Sequence, residues 1–313
     1  MNHFRQLIGQ SAGVTLLQQA ISQNRIAPAY LFAGPGGVGR ALGAKCFAQL
    51  LLSLNLSEEK QIKLKKRVWD KNHPDLYWVE PTYLHQGQLL TAKQAEETGL
   101  KRKAPPQVRI EQIRDITQFL SRPPLEASRC VVVIEAAETM TEAAANGLLK
   151  TLEEPGKATL ILIAPSVDSL LPTLVSRCQK IPFYRLSETH VKTILGRLGY
   201  EEIIEHPDII GLSQGSPGEA ISAWQQLQNI PFELRQKLKK MPKTSLDALQ
   251  LAKEITKELD NDAQLWLINY LQYFYWQKYQ DQMFLKNLES AKKQLLSYVQ
   301  PRLVWDCLLI NVS

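Results

Sequence analysis

The residues whose spacing best suits a chemical task are Gly34 and Gly39 in "GPGGVGRALGAK" (34–45), with Gly36 between them. A phosphate loop of the Walker type reads G-x-x-x-x-G-K-[ST]. Its backbone N–H groups and the dipole of the following helix hold phosphate. Its Lys reaches the β- and γ-phosphate oxygens, and its hydroxyl binds Mg²⁺. Here the Lys position holds Arg40 and the hydroxyl position Ala41. Arg keeps the charge but offers a wide planar fork in place of a point charge, and Ala offers no oxygen. A working ATPase of this design usually carries Asp and then Glu at the end of a second strand, one for the metal and one for the attacking water. In "VVVIEAAE" (131–138) those positions hold Glu135 and Ala136. Glu135 retains a carboxylate, set one methylene further out, whereas Ala136 cannot polarise water. Gly34, Gly36, Gly39, Arg40 and Glu135 therefore outline a degenerate nucleotide site. The pattern argues against hydrolysis and leaves open whether a nucleotide still binds.

The elements that must position these residues alternate strand and helix. "AYLFAG" (29–34) is a short apolar run feeding the loop, "RCVVVIEAAE" (129–138) holds four consecutive β-branched residues, and "ATLILIAPS" (158–166) is a third such run. Runs of this kind read as buried parallel strands. Between the second and third lies "TEAAANGLLKTLEEPG", a helix for which Thr139 and Glu142 predict a capping box and Pro155-Gly156 a stop. The alternation predicts a doubly wound α/β domain with its ligand side at the carboxyl ends of the strands. "HPDLYWVEP" (73–81) reads as a further short strand, within an otherwise irregular stretch 53–107 whose polar part, about 82–107, reads as a surface insertion. "RIEQIRDITQFLSRPP" (109–124) has apolar residues at helical spacing. After Arg177 the character changes. Short amphipathic helices and Gly-rich turns fill 184–228, and long helix-period segments follow from Pro231. The aromatic cluster Trp266, Tyr270, Tyr273, Phe274 and Trp276 reads as a packing face or subunit interface rather than a base-stacking surface.

Bulk properties bound the function classes. A chain of 313 residues predicts two or three domains. Hydrophobic content of 44% and charged content of 22% are ordinary for a globular protein. No apolar run approaches the ~20 residues that span a bilayer, and "MNHFRQLIGQ" has no signal core, so a cytoplasmic location is expected. Cys46, Cys130, Cys178 and Cys307 form no C-x-x-C pair, which predicts reduced and mostly buried thiols. The net charge of +6 sits largely in "KQIKLKKR" (60–67) and "KRK" (101–103). Neither run has interleaved aromatics for stacking on bases, and both read as solvated faces.

With "AYLFAGPGGVGR", "HPDLYWVEP", "VVVIEAAETMTEAAANGLLKTLEEP" and "LLPTLVSRC" in hand, the chain resembles the delta-prime subunits of the bacterial DNA polymerase III clamp loader, members of the AAA+ family. The resemblance is strong over about 1–185 and continues through "GLSQGSPGEA". It implies three domains: an AAA+ nucleotide-binding-type domain (1–183), a helical lid (184–228) and a helical collar for oligomerisation (229–313). It implies a non-catalytic stator in a hetero-pentameric ring with gamma/tau-type ATPase subunits and a delta subunit. Sliding clamp and primer-template DNA would be met through that complex, a DNA-directed DNA polymerase assembly. The Arg of "SRC", here Arg177, would reach a neighbour's ATP as an arginine finger, supported by Ser176 and Cys178. In ATPase relatives the lid adds an Arg near the position of Glu219, where an acid would repel phosphate. Many relatives carry a four-Cys zinc module before "HPD"; here that stretch has no Cys, and His73 alone cannot make a site, so no zinc and no required cofactor are expected. The alternatives are an autonomous AAA+ ATPase, disfavoured by Arg40, Ala41 and Ala136, and a plain DNA-binding protein, suggested by charge alone.

Overall fold

The computed structural model describes residues 3–54, 56–100, 104–238, 240, 242 and 244–311; the basic run 101–103 lies outside the described residues. The chain divides into two compact units, one through His190 and one from Val191.

The first unit contains strands β1 (Ala29–Ala33), β2 (Leu76–Val79), β3 (Thr82–His85), β4 (Gln88–Thr91), β5 (Cys130–Ile134), β6 (Ala158–Ala164) and β7 (Gln179–Pro182). Five of them form an all-parallel sheet in the order β2-β5-β6-β1-β7. Its helices are α1 (Ser11–Ser22), α2 (Arg40–Leu52), α3 (Glu58–Trp69), α4 (Ala92–Glu97), α5 (Ile110–Leu120), α6 (Glu142–Glu153) and α7 (Pro172–Val175). Side chains alternate across a strand, and the alternation sorts the core into two layers. Tyr30, Phe32, Val131, Val133, Ile161 and Ile163 pack with Phe47 and Leu51 of α2 and Leu64 and Val68 of α3. Leu31, Val132, Ile134, Leu160 and Leu162 pack with Ile113 and Ile116 of α5 and Ala144, Leu148 and Leu152 of α6. Both faces are covered, which is why these strands read as unbroken apolar runs.

Three local expectations need correction. Thr139 does not cap α6. Its hydroxyl donates to the Ala136 carbonyl at 2.7 Å and closes a 3₁₀ turn after β5, and Thr141 caps the helix by accepting from the Ala144 amide at 3.3 Å. The stretch 53–107 is largely ordered rather than irregular. The charged run 60–67 lies on α3, with Leu64 and Val68 buried and Lys60, Lys63 and Lys66 exposed, so its charge does form a solvated face. The polar insertion carries an antiparallel hairpin, β3 with β4, turned at Gln86 and Gly87 with φ of 49° and 80°. Two consecutive positive φ values match the turns that suit a two-residue hairpin. Thr91 then starts α4 with a capping box to Gln94.

The "HPD" tripeptide anchors the sheet. Asp75 is buried, and its carboxylate accepts from the amides of Leu125, Glu126 and Ala127 at 2.6, 2.8 and 2.7 Å. It thereby fixes the loop entering β5. His73 is buried beside it and accepts at Nδ1 from the Asp75 amide. Burial, with the Arg67 charge next in weight, holds the imidazole below its usual value. His73 is thus structural.

The second unit is helical throughout its described residues, and α8 (Glu188–Arg197) spans the division. It continues through α9 (Glu201–Ile204), α10 (Pro207–Leu212), α11 (Pro217–Gln228), α12 (Phe232–Leu238), α13 (Ser245–Glu258), α14 (Asn261–Tyr279), α15 (Gln282–Leu296) and α16 (Pro301–Ile310). Trp266, Tyr270 and Phe274 stack in succession along α14, centroids 5.5 and 5.9 Å apart. Tyr270 is buried and donates to Asp208 at 2.7 Å. Trp305 of α16 is fully buried and donates to Gln264 at 2.9 Å. The aromatics of α14 therefore serve packing along much of its length, while Trp276 stays exposed. Among the described residues, no helix is long and apolar enough to cross a membrane.

The Asp75 anchor yields a stability prediction. Asp75→Ala leaves three amides without their acceptor, so unfolding free energy should fall by roughly 3 kcal/mol or more, given ~1.5–3 kcal/mol for a hydrogen bond to a charged group. Urea unfolding followed by tryptophan fluorescence measures it; a loss below about 1 kcal/mol, the scale of an exposed pair, would deny the anchor.

Candidate functional site

The loop 34–39 leaves the end of β1 and enters α2 at Arg40. Its shape is held from two sides. A Cβ on Gly34 would overlap the Phe183 carbonyl, and Phe183 donates to the Ala33 carbonyl at 2.8 Å. Gly37 and Gly39 adopt φ of 67° and 102°, a region that glycine enters without a Cβ penalty. Gly36 lies in the same turn. Gln10, almost wholly buried, clips the loop to the chain after β7. Its Nε2 donates to the Val38 carbonyl at 3.2 Å and to the Tyr184 carbonyl at 2.7 Å, and its Oε1 accepts from the Tyr184 amide at 3.0 Å. Arg40 stands in the first turn of α2, half-buried. Burial lowers its guanidinium from the usual value, and Glu138 opposes that shift. The guanidinium remains charged, since Arg does not deprotonate in proteins. No hydroxyl follows, because Ala41 is next.

Glu135 directly follows β5, in phase with Val131 and Val133, which face α2. Its amide donates to the Val79 carbonyl at 2.9 Å. Its carboxylate accepts from Trp78 Nε1 at 2.6 Å and faces Lys71 Nζ at 3.4 Å. Lys71 also pairs with Glu80 and lies over the Trp78 ring, 4.7 Å from its centroid. The carboxylate that the motif reserves for a divalent cation thus already faces an internal ammonium. Ala136 follows with φ of 45°, strained for a residue with a Cβ. Among the described residues, no group of three or more His, Cys, Asp or Glu could hold a metal ion.

Arg177 lies elsewhere in the same unit. After β6 the chain forms α7, with Pro172 at its first position. Ser176 ends the helix and donates to the Thr173 carbonyl at 3.0 Å. Arg177 keeps its side chain 37% exposed. Its Nη1 donates to the Thr173 carbonyl at 2.9 Å and its Nη2 to the Glu153 carboxylate at 2.6 Å. These contacts involve neither the loop nor Glu135. Cys178 points inward and packs with Leu174 and Val175, and burial pushes its thiol up to about 11. In the second unit, Glu219 occupies the third position of α11, where its amide donates to the Ser216 hydroxyl at 3.1 Å. An acid there also complements the helix dipole. Gln10, Lys71, Trp78 and Glu153 were not singled out by the sequence reading. Trp78 lies inside "HPDLYWVEP" and Glu153 inside "LLKTLEEP", both stretches that carry the resemblance.

A parallel sheet ordered β2-β5-β6-β1-β7, with a Gly-rich turn from β1 into α2 and helices after it, defines an AAA+ type fold. A solved gamma subunit-related protein of DNA polymerase III from Thermotoga maritima has the same fold, with TM-score 0.51 and 18% identity over 96% of this chain and 99% of that one. The "DNA polymerase III subunit delta′" of Bacillus subtilis (strain 168) is 34% identical over 194 residues, 61% of this chain and 51% of that protein. That of Pseudomonas aeruginosa is 33% identical over 197 residues, 61% of this chain and 54% of that protein. The chain spans about half the length of these curated relatives. Residues 9–187 match the family described as "DNA polymerase III, delta subunit", and residues 189–312 match "Cyanobacterial DNA polymerase III delta prime, C-terminal domain". The chain belongs to the delta-prime family of DNA polymerase III subunits.

The thiols supply a test of packing around Arg177. Burial pushes Cys46, Cys130 and Cys178 up to about 11, whereas Cys307 is exposed. The thiolate is the reactive form, so at pH 8 the three buried thiols are protonated to all but about one part in a thousand. A disulfide-exchange reagent should modify one thiol per native chain rapidly, and all four after unfolding. Rapid native reaction of Cys178, mapped by peptide mass, would contradict the packing.

Proposed function

We propose that this chain is a non-catalytic stator of the DNA polymerase III clamp loader. In this reading it supplies Arg177 to the ATP site of a neighbouring subunit. The observation that carries it is the Glu135 carboxylate, hydrogen-bonded to Trp78 and facing Lys71 beside an Ala at the water-orienting position. A carboxylate so engaged is a poor ligand for Mg²⁺, and Ala41 adds no oxygen. Turnover in cis is then missing its metal and its base, and a guanidinium exposed at the end of α7 has more to stabilise in a neighbour than at home.

The chemistry in trans is electrostatic. Charge builds on the transferring phosphoryl group, and a guanidinium placed there stabilises the transition state. Such fingers contribute roughly 10³–10⁵ in rate. The partners of this reading are gamma/tau-type ATPase subunits and a delta subunit in a hetero-pentameric ring, acting on sliding clamp and primer-template DNA in the cytoplasm. The chain itself requires no cofactor and no zinc; ATP is used next door. Its parts are an AAA+ domain (1–183), a lid (184–228) and a collar (229–313).

Two measurements test the proposal. The purified chain alone should hydrolyse ATP at no more than background. Mg²⁺-dependent turnover abolished by Gly39→Asp would replace the stator reading with an autonomous ATPase. In the reconstituted complex, Arg177→Ala should preserve melting temperature and assembly while lowering clamp- and DNA-stimulated ATPase partially, because the other sites keep their own fingers. Clamp loading should fall more steeply. Unchanged loading would remove Arg177 from the mechanism.

A further inference from the structure

Glu153 is set against the local energetics of its own helix. It is the last residue of α6, where the helix dipole presents its negative end and acids are disfavoured, and Glu154 follows it directly. The cation that answers it is Arg177, at 2.6 Å, with the two side chains 37% and 53% exposed. An exposed pair of this kind shifts an equilibrium by about fivefold at most. It can therefore be exchanged for a stronger partner. The guanidinium spends one N–H on Glu153 and one on the Thr173 carbonyl. It also stands 3.5 Å from the Ser176 hydroxyl. Its backbone anchor at Thr173 is independent of Glu153, so the fork can leave the carboxylate while its root stays on α7.

We propose that Glu153 is a positioning residue that holds Arg177 in reserve and makes its engagement depend on the neighbour's nucleotide. This rests on the arginine-finger reading above. Coulomb attraction falls with distance. When the neighbour holds a nucleoside triphosphate, its terminal phosphoryl group, with several oxygens and more than one negative charge, offers bidentate hydrogen bonds that outcompete one exposed carboxylate. When it holds the diphosphate, that group is gone, the remaining phosphates lie further off, and Glu153 retains the guanidinium. The cost of breaking the pair thus falls on the triphosphate state, where the guanidinium leaves Glu153, and hardly on the diphosphate state, where it stays. Glu153 confines engagement of the finger to the triphosphate state, at some expense of affinity there, without touching either nucleotide.

The test uses the full chain with its ATPase neighbours, measuring the affinity of labelled chain for them with ATPγS and with ADP. Glu153→Gln removes the charge, keeps the shape and relieves the helix end; equal melting temperatures check the fold, and Glu153→Ala serves as a second variant. Both should raise the ATPγS-state affinity by about 2–5-fold, the range of an exposed pair that no longer has to be broken, and raise the ADP-state affinity less, so the ratio widens. Combined with Arg177→Ala, they should add nothing, since Glu153 acts through Arg177. If Arg177→Ala lowers the ratio while the Glu153 variants leave it at the wild-type value, Glu153 is a surface pair and this proposal alone fails. If the Glu153 variants weaken the ATPγS state, Glu153 supports the finger rather than restrains it, and the proposal is again overturned. If Arg177→Ala changes neither state, the finger reading fails first and takes this one with it.

Discussion

The first unit depends on β6. All seven of its residues are buried, and it pairs in parallel with β1 on one side and β5 on the other. Parallel pairing gives the strands one common direction. The Gly-rich loop after β1, Glu135 after β5 and the segment leading to α7 after β6 all leave from the same edge. The register fixes how they are offset, with Leu31 opposite Leu162 and Val132 opposite Leu160. Breaking that pairing would cost every candidate residue its position at once. Breaking any one loop would cost only its own.

The chemistry at that edge is altered by local substitution and by what packs beside it. Lys71 adopts φ of 56° just after α3 ends, a turn that sends its ammonium to Glu80 and Glu135. Trp78, one residue before the end of β2, supplies a ring beneath that ammonium and an N–H for Glu135. An ammonium has one charge and three donors; a divalent cation has two charges and takes oxygen ligands at about 2.0–2.6 Å. The first can satisfy carboxylates without drawing in phosphate or water. The carboxylate therefore has a structural use, and the turn after α3, a helix that read as a plain charged run, delivers the residue that gives it one.

Four of the five strands of the sheet and the helices α5 and α6 were legible from continuous apolar runs and helix-period spacing, whereas β7 (Gln179–Pro182) was not read as a strand. Val131, Val132, Val133 and Ile134 announce a strand buried on both faces, and Ile113 and Ile116 announce the inner face of α5. Features that depend on a single side chain's choice were less readable. Thr139 and Thr141 both can cap, and the local sequence does not reveal that the first is consumed by the turn after β5. Gln86 is an unusual residue at positive φ, so the hairpin lacked the Asn-Gly or Asp-Gly mark that would have shown it. Helix α3 was hidden because lysines outnumber its two core contacts, Leu64 and Val68. At the candidate site the glycines and Glu135 were found by spacing. Gln10, Lys71 and Trp78 reach it across long sequence separations that no local pattern records, while Glu153 reaches Arg177 across 24 residues from inside a motif read only as helix.

The shape of the loop, kept with Arg40 and Ala41 in place of a lysine and a hydroxyl residue, has a packing cause. Phe183 approaches Gly34 by its backbone and Gly43 of α2 by its ring, and Leu7 lies against Gly39. Each glycine is needed where a neighbour leaves no room for a Cβ or where φ is positive. Gln10 then closes the arrangement with three hydrogen bonds from a nearly buried amide, an acceptor and donor pair that would be expensive to leave unmade. None of these constraints asks anything of the side chains at positions 40 and 41. The glycine spacing thus belongs to the packing of β1 and α2 against the chain after β7, and the lysine and hydroxyl of a working loop belong to phosphate and its metal ion alone. A sequence can keep the first set and lose the second, and this one does.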